Sequence, residues 1–133
     1  MAVRNAVHTG YHVADIDRSV GFYKALGFHE YVRMPMGDSH QRAIGTVVFM
    51  ALPGDGPRLE LQQVFANPPP LVGTARSHIG VTIDDMDETL TELAALGIHP
   101  ETPPFSPVKD GATICFLADP DGHLVELLAN VTL

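Results

Sequence analysis

The chain has 133 residues, 45% of them apolar, and a net charge of −8 at pH 7, which is one domain's worth of chain with enough apolar side chain to bury a core. That charge argues against a nucleic-acid groove and against an anionic membrane surface, and no apolar run approaches the length of a membrane span. The single cysteine, Cys115, rules out an internal disulfide framework, and its apolar setting Thr113-Ile-Cys-Phe-Leu marks it for packing rather than reaction.

In chain order, residues 6–13 read as a strand whose period-2 alternation puts His8, Gly10 and His12 on one face and Val7, Thr9, Tyr11 and Val13 on the other. Asp15-Ile-Asp17 opens a helix, with acids where the helix dipole favours them. Val20, Tyr23, Lys24 and Leu26 follow at roughly helical spacing, and Gly27 is a natural stop. Residues 28–34 suggest a second strand, 35–40 a loop, and 44–52 a third strand. Gly54-Asp55-Gly56 is a tight-turn signature, with residues 58–64 returning as the partner of a hairpin. Asn67-Pro-Pro-Pro-Leu is a linker, since consecutive prolines favour extended polyproline geometry. A second copy starts near Ser77, with His78, Gly80 and Thr82 on one strand face and a helix over 87–96 ended by Gly97. Residues 99–102 suggest a short strand, 105–111 a loop carrying Lys109, and 112–117 with 123–129 a last hairpin across Asp119-Pro-Asp-Gly122. The N-terminus carries no basic-then-apolar signal region, which points to a cytoplasmic protein.

The two halves repeat one another. His8, Gly10, Asp15, Asp17, Leu26, Gly27 and His29 recur 70 positions later as His78, Gly80, Asp85, Asp87, Leu96, Gly97 and His99. Downstream, Asp55, Gly56, Glu60 and Leu61 recur at an offset of 66 as Asp121, Gly122, Glu126 and Leu127. A repeat this dense defines the architecture. The expectation is an α+β fold of two tandem βαβββ modules, about 5–66 and about 77–130, forming one cupped mixed sheet within a single domain, 1–133.

Each copy begins with a histidine and ends with a glutamate. An isolated strand histidine is most often a packing residue, and an isolated glutamate usually faces solvent. Four such residues at symmetric places in a duplicated unit are another matter. Packed about a pseudo-two-fold axis, His8, Glu60, His78 and Glu126 would offer two imidazoles and two carboxylates. That donor set suits one divalent first-row ion (Ni, Zn, Co, Mn or Fe) with room for water or substrate. Gly10 and Gly80 remove bulk where a ligand would approach. His12, one step beyond Gly10 on the same face, is a substrate contact rather than a ligand. His29 and His99 fall at exposed strand starts, His40 in a loop and His123 just past a turn.

The residues His8-Thr9, Val13-Ala-Asp15, Arg18-Ser19, Phe22-Tyr23 and Leu26-Gly27, with Ser106-Pro-Val-Lys-Asp-Gly-Ala-Thr113 and Asp119-Pro-Asp-Gly, resemble the vicinal oxygen chelate superfamily over essentially the whole chain. Within it they resemble glyoxalase I, the lactoylglutathione lyase family. The resemblance implies a glyoxalase-like fold, a metal set of His8, Glu60, His78 and Glu126, and pairing of two chains; unpaired sheet edges and apolar faces also point to a homodimer. Glu60 separates the chain from the superfamily's dioxygenases and fosfomycin-resistance proteins, which keep a His, His, Glu set. The family's Arg four residues after the first ligand is His12 here, and its Asn four residues after the second is Val64. Lys109 matches the loop lysine that reaches the other carboxylate end of glutathione.

The implied reaction is proton transfer on a hemithioacetal or alpha-hydroxycarbonyl through a metal-stabilised enediolate, with Glu60 and Glu126 as candidate bases. Return of the proton to the neighbouring carbon makes an isomerase; return to the same carbon makes an epimerase of the methylmalonyl-CoA type. The alternative is a drug- or metabolite-binding protein of the bleomycin-resistance kind. Such a protein would lose metal residues and line its cup with aromatics. This chain keeps all four metal candidates, has no Trp, and places few aromatics on the expected inner face.

Overall fold

A computed structural model describes residues 4, 7–37, 40, 42–54, 56–65, 78–106 and 110–130. The proline linker, Asp55, Ser77 and Lys109 lie outside the described residues. The chain divides into two units, Met1–Gly73 and Thr74–Leu133. The first holds β1 (His8–His12), α1 (Ile16–Ala25), β2 (His29–Gly37), β3 (Ala43–Ala51) and β4 (Arg58–Val64). The second holds β5 (His78–Thr82), α2 (Met86–Ala95), β6 (Thr113–Ala118) and β7 (Leu124–Ala129). The architecture is α+β, as the repeat predicts.

Both helices start and stop by the same chemistry. Asp15 and Asp85 are the N-caps, accepting hydrogen bonds from the backbone N–H of Arg18 (3.1 Å) and Glu88 (2.8 Å), which satisfies an otherwise unpaired donor. At the other end Gly27 (φ 98°) and Gly97 (φ 79°) take left-handed backbone. The next residues donate back, Phe28 N–H to the Tyr23 carbonyl and Ile98 N–H to the Leu93 carbonyl, closing a Schellman motif in each copy. In the first unit alone, the Gln63 side-chain oxygen also accepts from Ile16 N–H at 2.7 Å, tying the start of α1 to β4.

The sheets are mixed, in the orders β1-β4-β3-β2 and β5-β7-β6. In each unit the first and last strands pair in parallel, and the remaining pairs are antiparallel. Alternation then sorts the side chains. In the first unit Tyr11, Val48, Met50, Leu59 and Leu61 are buried, with Val20 and Tyr23 of α1 buried among the core residues too. Burying each such aliphatic side chain is worth about 1.5–3 kcal/mol. In the second unit Cys115, Leu117, Val125 and Leu127 fill the same role, with Met86 and Leu93 of α2. The opposite sheet faces are left for polar chemistry.

Two expectations need correction. Pro35 and Met36 do not open a loop; β2 runs on to Gly37, pairing Pro35 with Thr46. Strand β2 is the sheet edge, where a missing N–H is tolerated. Residues 99–102 do not form a strand. Their place beside β6 is taken by an irregular segment held by Glu101 N–H to the Phe116 carbonyl (3.2 Å) and an isolated bridge between Phe105 and Ile114. Pro100, Pro103 and Pro104 remove three donors from this stretch, so a regular ladder cannot form.

The last turn is built more tightly than its sequence suggested. Asp119 is buried, and its carboxylate accepts from the N–H groups of Asp121 (2.8 Å) and His123 (2.9 Å), an Asx turn that satisfies the buried charge. His123, just past the turn as expected, is buried. Among the described residues, no helix is long and apolar enough to cross a membrane.

Gly45 of β3 sits so close to β4 that an added Cβ would meet the Gln63 carbonyl oxygen, with Met36 Cε at 2.9 Å. Gly21, in the exposed interior of α1, would meet nothing within 4 Å. Gly45→Ala should therefore lower unfolding free energy by about 1–3 kcal/mol through backbone displacement. Gly21→Ala should raise it by about 0.5–1 kcal/mol through helix propensity. Urea denaturation of both variants checks the pair.

Candidate functional site

The parallel register sets the site in each unit. His8 lies opposite Arg58, Gly10 opposite Glu60 and His12 opposite Gln62; in the second copy His78 lies opposite Leu124, Gly80 opposite Glu126 and Thr82 opposite Leu128. Each histidine therefore sits one step back from its glutamate on the neighbouring strand, on the face away from the helix. His8 Nε2 lies 3.2 Å from Glu60 Oε2, and His78 Nε2 lies 2.9 Å from Glu126 Oε2. The glycine between them in register keeps the gap clear: a Cβ on Gly10 would stand 3.7 Å from Glu60 Oε1, and one on Gly80 3.9 Å from Glu126 Oε2.

The carboxylates are sheltered, with side chains 10% exposed at Glu60 and 17% at Glu126. A shut-off carboxylate needs a charged or hydrogen-bonding partner, and the imidazole supplies it. A phenylalanine opposite each glutamate steadies the ring. Phe49 pairs with Glu60 and Phe116 with Glu126 across the hairpins. His8 meets Phe49 edge-on at 5.4 Å and 72°, and His78 meets Phe116 at 5.7 Å and 86°, the arrangement aromatic rings prefer.

The donors suit a metal ion. Two ligand atoms about 2.1 Å from one ion and at right angles to each other sit about 3.0 Å apart, and both His–Glu pairs hold their donor atoms at that spacing. Among the described residues no three His, Cys, Asp or Glu side chains gather at one point. What each unit presents is a two-donor pair.

The copies differ around that shared core. The Gln62 side-chain amide donates to Glu60 Oε1, so Glu60 is held from two sides. The repeat counterpart of Gln62 is Leu128, whose methyl would stand 3.2 Å from a Cβ on Gly80. Glu126 is paired with His78 alone among the described residues.

Of the residues singled out in the sequence, His8 meets Glu60 and His78 meets Glu126. His12 is exposed on the His8 face, opposite Gln62, while Lys109 lies outside the described residues. His29, His40 and His99 are exposed. Sequence reasoning passed over Phe49 and Phe116 and took the inner face to be poor in aromatics. Their signal was present: each stands opposite the repeated glutamate across a hairpin. The first hairpin is one residue longer, which shifts the phenylalanines out of the common offset. Gln62 had no repeat to reveal it.

Cys115 is fully buried, and burial pushes its thiol pKa up. Its Sγ donates weakly to the Thr102 carbonyl at 3.6 Å. A thiol-specific reagent at pH 8 should leave the native protein unlabelled and modify Cys115 once the chain is unfolded in guanidinium; prompt labelling of the native protein would contradict this.

The Glyoxalase/Bleomycin resistance protein/Dioxygenase superfamily profile matches residues 5–127. A probable lactoylglutathione lyase of Vibrio parahaemolyticus is 31% identical over 128 residues, covering 93% of this chain and 89% of its own. A lactoylglutathione lyase of Haemophilus influenzae is 31% identical over 128 residues, covering 93% and 91%. In shape, the chain is similar to a variant of glyoxalase I from Zea mays, with a TM-score of 0.79 and 22% identity. That likeness covers 95% of this chain and 44% of the maize chain, and it concerns fold alone.

Proposed function

The chain belongs to the Glyoxalase/Bleomycin resistance protein/Dioxygenase superfamily, and on that premise we propose that it is a metal-dependent glyoxalase I-like enzyme moving a proton on a hemithioacetal or alpha-hydroxycarbonyl substrate. The observation that carries this reading is the pair of His–Glu contacts, repeated in both units with donor atoms 3.2 and 2.9 Å apart. The proposed ligands of the divalent ion are His8 and Glu60 of the first unit and His78 and Glu126 of the second. When bound, such an ion supplies Lewis-acid stabilisation of the negative charge that develops beside the carbon losing its proton.

The chain's own residues divide the remaining work. Gln62 and His8 hold the Glu60 carboxylate in place from opposite sides. Glu126 has His78 as its partner and the apolar Leu128 beside its strand position, so its carboxylate turns at less cost. Glu126 is therefore the group that takes the proton from the substrate carbon and returns it. Phe49 and Phe116 keep the imidazoles in place and help exclude water from the carboxylates. The substrate differs from the plain glutathione adduct at its tail, because His12 and Val64 stand where a cation and an amide would grip that tripeptide. A homodimer is the proposed assembly, supported by the exposed edge strand β2 with Tyr31 and Met34 open on it.

Metal analysis of the purified chain should find about one divalent ion per chain, and His78→Ala should lose most of it; full occupancy in that variant counts against the donor set. In heavy water, deuterium should enter the substrate carbon, with Glu126→Gln slowing exchange about 100-fold or more. The carbon that receives deuterium separates isomerase from epimerase. Exchange that survives Glu60→Gln combined with Glu126→Gln would leave a binding protein instead. Light scattering at micromolar concentration should give twice the 14.3 kDa chain mass; a monomer mass refutes the dimer.

A further inference from the structure

The polar face of the first unit carries a cation that its repeat lacks. On β4, Arg58, Glu60 and Gln62 alternate onto one face, with His8, Gly10 and His12 opposite them on β1. The corresponding positions of β7 are Leu124, Glu126 and Leu128. The glutamate is common to both strands, and its two flanking residues are polar in one and apolar in the other. Leu124 is buried, so the architecture of the strand pair does not itself call for an arginine at this place.

Among the described residues Arg58 is held by a ring and a carbonyl, not by a carboxylate. Its guanidinium lies over the Tyr31 ring, 4.7 Å from the centroid, and one nitrogen donates to the Gly56 carbonyl. Arg33 shows the other outcome, gripped by Asp17 at 3.0 Å and Glu30 at 2.7 Å. Among the described residues no carboxylate lies within ion-pair distance of Arg58, in a chain whose net charge is −8. The platform beneath it depends on a local irregularity. The ladder between β2 and β3 slips between Glu30 and Val32, leaving Tyr31 outside the register and free to reach across to β4. Bulges re-aim side chains in this way and concentrate near functional sites. Stacking covers the face of a guanidinium and leaves N–H groups along its edge for a planar anion.

We propose that Arg58 binds an anionic group of the substrate, a carboxylate or a phosphate, beyond the Glu60 end of the first unit's polar face. Arg58 lies on the opposite side of Glu60 from His12 and Gln62, so the anion sits at the other end of the face from position 12. Two residues along a strand span roughly 6.6 Å. That separation fits a compact anionic tail of about four to six covalent bonds rather than a tripeptide. The proposal rests on the proton-transfer reading only for the identity of the reacting end; anion binding is measured without turnover.

Three stable thioethers serve as probes: S-methyl 3-mercaptopropionate, its neutral amide, and S-methyl 2-mercaptoethyl phosphate. Each is titrated calorimetrically into the full-length chain as purified. Wild type should bind the carboxylate or the phosphate at least about tenfold more tightly than the amide, as a charged hydrogen bond provides, and the preferred arm identifies the anion. Arg58→Gln should abolish that preference while leaving amide binding unchanged. Should that variant fail to fold by circular dichroism, Tyr31→Leu replaces it, and loss of the platform should reduce the preference several-fold. Equal binding of anion and amide by wild type overturns the proposal, as does a preference that survives in the folded variant. Absence of deuterium exchange on any substrate, with the anion preference intact, overturns the proton-transfer reading alone. Exchange with no anion preference overturns Arg58 alone.

Discussion

The parallel pairing of each unit's first and last strands is the constraint on which the site depends. With Gly10 opposite Glu60 and Gly80 opposite Glu126, each glutamate shares a face with the histidine one step back, and the glycine between leaves the two side chains room to meet. A slip of one residue in β4 or β7 would turn its glutamate into the helix-facing core and away from its histidine. Register is protected by what lies on the other face. Leu59 and Leu61 are fully buried, as are Val125 and nearly so Leu127, and a slip would exchange these for carboxylates. The apolar core and the polar pair thus enforce one another through a period of two.

The helices hold that register from outside. Each is capped by an aspartate at its start and a left-handed glycine at its end, so its length, and the point at which the chain returns to the sheet, is the same in both copies. Gln63 adds a bond from β4 to the start of α1, and the backbone bonds from Val13 N–H to the Gln62 carbonyl and from Ile83 N–H to the Leu128 carbonyl continue the parallel ladders toward the helices.

Within this common frame the copies have different chemistry. Glu60 is fixed by an imidazole and an amide; Glu126 has the imidazole and a leucine neighbour. Arg58 and Gln62 flank one glutamate, Leu124 and Leu128 the other. Two equal carboxylates would compete for one role, whereas differently held ones can take different roles. Backbone symmetry sets where the carboxylates stand, and the flanking side chains set how freely each can move.

Much of this was legible in the sequence. Repeat spacing exposed the duplication and put Glu60 and Glu126 at matching places in the last strands, acidic starts and glycine stops marked the helices, and alternation put His8 and His78 on polar faces, because period and end signals are local properties of a chain. The hairpin strand 58–64 and both helix starts lay close to where propensity put them. The misses involve contacts that are remote in sequence. Residues 99–102 have strand-like spacing, yet three nearby prolines leave too few donors for a ladder, and Pro35 stays in β2 because β2 is an edge, which only the sheet order reveals. The roles of Gln62, Phe49, Phe116 and Tyr31 come from cross-strand register and a bulge. Local pattern determined which residues could face a ligand; pairing between distant strands decided which of them touch, because a side chain's neighbours across a sheet are set by register and not by its place in the chain.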